Sequence, residues 1–257
     1  MKAKKSYGQH FLTNENTAHR IANFLERKEG IKNVLEIGPG KGMLTKYLMQ
    51  QDINLKVVEA DRDMINYLEN HYPDLDIIFL DFLKLKLDKV FDGEPFYITG
   101  NYPYNISSQI VFKMINDYEL VPEMVGMFQK EMAERIIAPP GSKTYGVISV
   151  LTQAYYKGEM LMKLAPGAFS PPPKVHSAVI KLSRSGVEEL KCDKKLFRRI
   201  VKQSFNQRRK MLRNTLKGIV QDKDFLDHPD LQRRPEQLSV KDFEQLTLKI
   251  QELRNES

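Results

Sequence analysis

Apolar positions divide this chain into two parts with different periods. Over the first two-thirds, short β-rich runs alternate with longer stretches whose apolar residues recur every three or four positions. Residues 14–28 carry Ile21, Phe24 and Leu25 on one face and predict a helix. Residues 34–37 form a short apolar run that ends in glycines and predict a strand. Further strands are predicted at 55–58, 77–80, 96–99 and 121–128, and helices at 42–50, 62–70, 106–116 and 146–156. Strands alternating with helices at this spacing indicate βαβ units and a parallel sheet covered on both faces. After Leu182 the strand pattern stops. Residues 183–186 (Ser-Arg-Ser-Gly) have the composition of a linker. Beyond them Leu196, Phe197, Ile200, Val201 and Phe205 follow helical spacing, as do Met211, Leu212, Leu216, Ile219 and Val220, and a last helix is predicted at 242–253. The expected organisation is an α/β, Rossmann-like domain over residues 1–186 and a small all-α domain over 187–257.

Composition narrows the class. The 257 residues are 41% apolar and 28% charged, as in an ordinary globular protein. A single cysteine, Cys192, excludes an intramolecular disulfide and fits a reducing compartment, so a cytoplasmic location is expected. One cysteine and five scattered histidines argue against a structural metal site. The first residues are basic but lack the apolar stretch of a secretory signal, and no run approaches the roughly 20 apolar residues of a membrane span. The net charge of +7 is concentrated. Residues 191–217 hold eleven Lys or Arg against one Asp, +10 in 27 residues, and the remainder holds 29 basic and 32 acidic side chains, a balance of −3. A charge run is often only a solvated face. One nearly free of acids points instead to a polyanionic partner, with Arg208, Arg209, Lys210 and Arg213 as candidate phosphate contacts.

The segment from Val34 to Gly42 reads as strand, glycine turn, helix start. A glycine turn alone does not choose a ligand. The dinucleotide fingerprint needs a third glycine where Met43 stands, and no Gly-Lys-Ser/Thr follows, which excludes a P-loop. With Glu36 two residues before Gly38, the string resembles the cofactor loop of S-adenosylmethionine-dependent methyltransferases. Glu59 ends the second strand, where a carboxylate can accept from a ribose diol. Asp81 ends the third, where it can accept from an adenine amino group, and Asn101 ends the fourth. Ligands of open α/β sheets bind at these carboxyl ends. Any one of the acids could be a turn or cap residue; the set in strand order is harder to dismiss.

Asn101-Tyr102-Pro103-Tyr104 is the sharpest signal in the chain. The lone pair of adenine N6 is delocalised into the ring, so the amine is a poor nucleophile. Two acceptors on its two N–H groups, the Asn101 side-chain oxygen and the Tyr102 carbonyl, favour a tetrahedral nitrogen. Pro103 stiffens the loop, and Tyr104 can stack on an unstacked base. In-line attack on a sulfonium methyl then needs positioning more than a base. The string from Phe169 to Val175 contains three prolines and is stiff and extended. It can hold Phe169 against the opposite face of the base; equally, Phe169 can belong to the core.

Together these motifs resemble the ribosomal RNA adenine N6,N6-dimethyltransferases, which dimethylate two adjacent adenines near the 3′ end of small-subunit rRNA. The resemblance covers nearly the whole chain. It includes residues 7–12, 36–42, 101–107, 129–131, 169–177 and the Phe-Asn-Gln-Arg-Arg-Lys string at 205–210. It implies S-adenosyl-L-methionine as cofactor. It adds His10 and Leu12 to Gly38, Glu59, Asp81 and Asn101 as cofactor contacts, through an amino-terminal segment lying over the methionyl end. It also implies small-subunit rRNA within a ribosomal particle as substrate; a monomer without metal or membrane is expected. The family usually has Asn where this chain has His10 and Leu where it has Tyr102. Large-subunit rRNA adenine methyltransferases share the catalytic motif, DNA adenine methyltransferases have a related one, and a non-catalytic assembly factor could keep the fold. The Pro-Pro-Pro-Lys loop and the 205–210 string favour the small-subunit family.

Overall fold

The computed structural model describes residues 9–26, 30–184, 186–220, 222 and 225–255. Tyr7 and Gly8 of the amino-terminal motif, Lys28 at the end of the first expected helix and Ser185 of the linker lie outside them. The chain forms two compact units. One contains the described residues up to 133 together with 157–184, and the other contains 134–156 together with those from 186 onward.

A two-residue strand, β1 (Phe11–Leu12), precedes α1 (Glu15–Ala22). The Asn14 side chain accepts from the Thr17 N–H at 2.9 Å and caps α1, which buries Ala18, Ile21 and Ala22. The helix stops at Ala22, short of the expected 28. Then come β2 (Asn33–Ile37), α2 (Thr45–Leu48), β3 (Asn54–Glu59), α3 (Arg62–His71), β4 (Asp76–Phe79), β5 (Tyr97–Asn101), α4 (Ser107–Asn116), β6 (Glu123–Gln129) and α5 (Lys130–Ile136). After α6 (Val147–Gln153) the chain adds β7 (Lys157–Leu164), β8 (Phe169–Ser170) and β9 (Ser177–Ser183).

The sheet order is β4-β3-β2-β5-β6-β9-β7. The first five strands in that order run parallel. The sequence pattern does not show the antiparallel pairing of β9 with β6 and with β7. β2 lies in the middle and buries Val34, Leu35, Glu36 and Ile37. The helix expected from residue 42 is delayed to Thr45, because Gly40 and Gly42 have φ of +57° and +77°, outside the helical region. Since β2, β3, β4 and β5 are parallel, Gly38, Glu59, Asp81 and Asn101 come out at one edge of the sheet.

The second unit is helical: α6, α7 (Lys194–Phe205), α8 (Leu212–Thr215) and α9 (Val240–Asn255). Asp193 caps α7, its side chain accepting from the Leu196 N–H at 2.6 Å, and Leu196, Phe197, Ile200 and Val201 are buried. The expected division at residue 186 put 134–156 in the first domain; the structure puts them in the second unit. There Tyr145 packs edge-on against Phe205, and Phe205 against Phe243 of α9, with ring centroids 6.2 and 6.1 Å apart. Helical periodicity shows that residues 146–156 bury a face, but not which unit receives it.

Candidate active site

At the carboxyl edge of the parallel strands a cavity of about 690 Å³ opens, within the range of small-ligand sites. Its floor is the turn after β2. Gly38 has φ +65°, and its N–H donates to the Val58 carbonyl at 3.0 Å. A Cβ on Gly40 would meet the Phe11 ring at 3.0 Å, and one on Gly42 the Tyr72 ring at 2.5 Å. Glycine at 40 and 42 thus lets the Phe11 and Tyr72 rings pack directly on the loop backbone, while Gly38 and Gly40 line the cavity. Glu59 is 8% exposed. It accepts from the N–H groups of Ala60 at 2.8 Å, Asp61 at 2.9 Å and Gly40 at 3.4 Å. Burial pushes its carboxyl pKa up, opposed by those bonds. Asp81 also lines the cavity, and its side chain caps the turn that follows by accepting from the Leu83 N–H at 2.9 Å. It is thus a cap and a candidate ligand group at once. Beneath the loop Glu36 is 1% exposed and accepts from Thr45 Oγ1 at 2.7 Å. Burial, above all, raises its carboxyl to about 8.

The Asn101–Tyr104 motif leaves the end of β5 into this cavity. The Asn101 amide nitrogen donates to the His10 carbonyl at 2.8 Å. Among the described residues nothing bonds its oxygen or the Tyr102 carbonyl. The Tyr104 hydroxyl lies 2.6 Å from Ser177 Oγ, and the His10 ring stacks on the Tyr104 ring at 5.4 Å. Tyr102 turns inward and is 1% exposed. It fits because Gly126 lacks a side chain: a Cβ there would lie 1.9 Å from the Tyr102 ring. The replacement of the family's Leu by Tyr102 is thus absorbed beneath the motif.

Residues 9–13 form a strap over the cavity. β1 pairs antiparallel with β8, Phe11 opposite Ser170 and Leu12 opposite Phe169. Gln9 donates to Asp61 at 2.9 Å, and His10 Nδ1 donates to the Pro171 carbonyl at 2.8 Å. Leu12 borders the cavity but is mostly core. Phe169 is placed otherwise than as a base contact. Neighbouring residues of a strand face opposite ways; Ser170 faces the cavity, and Phe169, 4% exposed, packs in the core with Leu12, Ile21 and Leu44. The strap's partners were not legible, since a two-residue strand carries no period. Ser177 falls inside a noted motif, yet nothing in the sequence pairs it with Tyr104.

In the second unit the four basic candidates separate. Arg208 donates to the carbonyls of Lys143 at 2.5 Å and Ser142 at 3.0 Å, and its guanidinium lies 3.9 Å from Glu236. It braces this unit. Arg209, Lys210 and Arg213 are exposed, as are Lys195, Arg199 and Lys202 along the outer face of α7. Among the described residues no three His, Cys, Asp or Glu side chains gather to hold a metal, and no helix is long and apolar enough to cross a membrane.

A parallel sheet closed by an antiparallel hairpin, with a glycine cradle after β2 and acids after β3 and β4, defines a Rossmann-like methyltransferase of the S-adenosylmethionine-dependent class. The model of the family "Ribosomal RNA adenine dimethylase" matches residues 1–252, and the chain belongs to that family. It is 51% identical over 255 residues to ribosomal RNA small subunit methyltransferase A of Bacteroides thetaiotaomicron, covering 98% of this chain and 95% of that one. It is 49% identical over 253 residues to the protein of the same name from Flavobacterium johnsoniae, covering 98% and 97%. Among solved structures it resembles a dimethyladenosine transferase from Plasmodium falciparum, with TM-score 0.78, 26% identity and coverage of 95% and 98%. It also resembles the 23S rRNA methyltransferase ErmE, with TM-score 0.67, 25% identity and coverage of 92% and 99%.

Proposed function

We propose that this protein binds S-adenosyl-L-methionine in the cavity and transfers methyl groups to N6 of two adjacent adenines near the 3′ end of small-subunit rRNA. The product is N6,N6-dimethyladenine, formed in the cytoplasm by a monomer acting on a ribosomal particle. The observation that carries the reading is the open pair of acceptors, Asn101 Oδ1 and the Tyr102 carbonyl, in the cavity that Gly38 and Gly40 also line.

The residues fit the cofactor: Gly38 and Gly40 line the cavity without side chains, and Glu59 presents a buried carboxylate to hydroxyl donors. Glu59 would hold the ribose diol and Asp81 the adenine amine, and Gly38, Leu12 and the backbone of His10, which line the same cavity, would flank the remainder. When bound, the cofactor supplies an electrophilic sulfonium methyl. Asn101 Oδ1 and the Tyr102 carbonyl accept the two N6 hydrogens of the target and localise its lone pair. Tyr104, held by Ser177, stacks on the base, and Pro103 stiffens the turn between them. Arg209, Lys210 and Arg213 neutralise phosphates of the rRNA.

The test offers labelled cofactor with small-subunit particles, naked small-subunit rRNA, large-subunit rRNA and duplex DNA. Label is expected in adenines of the small-subunit RNA, and Asn101→Ala should slow single-turnover transfer by roughly a hundredfold or more, as for loss of one preorganised hydrogen-bonding group. Label confined to large-subunit rRNA or DNA would overturn the assignment.

A further inference from the structure

We propose that the main-chain carbonyl of His10 is a positioning group for methyl transfer: it decides which end of the Asn101 amide meets the target amine. The inference rests on the adenine N6 reading above. The two ends of an asparagine amide are alike in shape and opposite in hydrogen-bonding character. Only the oxygen can draw on an N6 hydrogen; the reversed amide would set N–H against N–H and leave the lone pair in the ring. β5 fixes the Asn101 backbone but not the rotation of its amide. A carbonyl has no hydrogen to give, so the His10 oxygen can pair only with Asn101 Nδ2, and it does so at 2.8 Å. With no other bond to this amide among the described residues, that contact selects the productive rotation.

His10 is itself held from several sides. β1 pairs with β8, and Thr13 gives both its N–H and its hydroxyl to the Ala168 carbonyl, at 2.9 and 3.0 Å. The His10 imidazole reaches the Pro171 carbonyl at 2.8 Å and lies on the Tyr104 ring. One strap residue therefore touches both Asn101 and Tyr104. The His10 side chain is engaged by Tyr104 and Pro171, whereas the atom that orients Asn101 is in the backbone. The change from the family's Asn to His10 thus leaves that atom in place.

Asn101→Asp tests the proposal. An ionised carboxylate presents oxygen at both ends, and one of them faces the His10 carbonyl and is repelled. The neutral acid restores the native pattern, its hydroxyl donating to His10 and its carbonyl oxygen accepting from N6. His10, Tyr104, Glu36 and Glu59 are ionisable groups that border the same cavity in wild type and variant alike, so the readout is the variant-to-wild-type ratio of single-turnover rates at each pH. That ratio should rise about fivefold or more from pH 8 to pH 6, tending to about tenfold per pH unit while the carboxyl is mostly ionised. A flat ratio, with the variant folded by circular dichroism, would overturn the proposal. Wild type that methylates no adenine would instead remove the enzymatic reading beneath it. A second measurement needs no variant fold: the Asn101 side-chain amide protons, observed by NMR in the wild type, should be protected from exchange by the His10 carbonyl. Exchange at the rate of a free amide would count against the contact.

Discussion

Single residues show how far chemistry can be read from position. The alternating glycines at 38, 40 and 42 were legible because positive φ at each leaves few other choices, and the structure has φ of +65°, +57° and +77° there. Tyr102 was legible only as a departure, because its silent partner, Gly126, lies on the neighbouring strand. Glu36 was noted for its place before the loop; its protonation state follows from burial, which sequence does not report. A carboxyl with a pKa of about 8 in the fold against 4.5 in the unfolded chain favours folding as the neutral acid, fully below pH 4.5. That contribution is lost as pH rises from about 4.5 to 8, by at most about 1.4 kcal/mol per pH unit. Glu36→Gln keeps the neutral shape and the acceptor for Thr45. Urea denaturation of the unliganded protein across this range should show wild type losing stability relative to the variant as pH rises. Parallel curves would mean that Glu36 ionises without cost.

At the scale of elements, the central strands were readable as short apolar runs closed by turn residues, and the long helices by their period. The β7–β9 hairpin was not. β7 is long but an edge strand of mixed exposure, so its apolar residues mark no clear face. The strap was hidden for the opposite reason, since its strand is two residues long and its meaning lies in Ser170, Pro171 and Asn101, far away in sequence. The basic segment was visible as a charge run, and the structure sorts it. Arg208 is bound to backbone within its own unit, whereas Arg209, Lys210 and Arg213 face solvent. Replacing those three with Gln should flatten the salt dependence of rRNA binding, by about 0.7 in the log–log slope for each lost single-strand phosphate contact. Arg208→Gln should lower thermal stability and leave that slope alone. Binding isotherms over a salt series check both, and an unchanged slope in the triple variant would make these charges a solvated surface only.

The whole molecule combines two compact units of different make-up. The fold class was legible from alternating strands and helices. The membership of residues 134–156 was not, because an amphipathic pattern names a buried face and not the unit that buries it. In the first unit one sheet edge brings together a glycine cradle, buried acids and two open acceptors; the second offers exposed cations. Family membership agrees with the chemistry that arrangement allows. The most direct test of the central claim is mass spectrometry of small-subunit rRNA after incubation of unmethylated particles with the protein and isotopically labelled S-adenosylmethionine. The account predicts two labelled methyls on N6 of each of two adjacent adenines near the 3′ end, and almost none with Asn101→Ala. Label on any other atom or position, or equal labelling by Asn101→Ala, would contradict it.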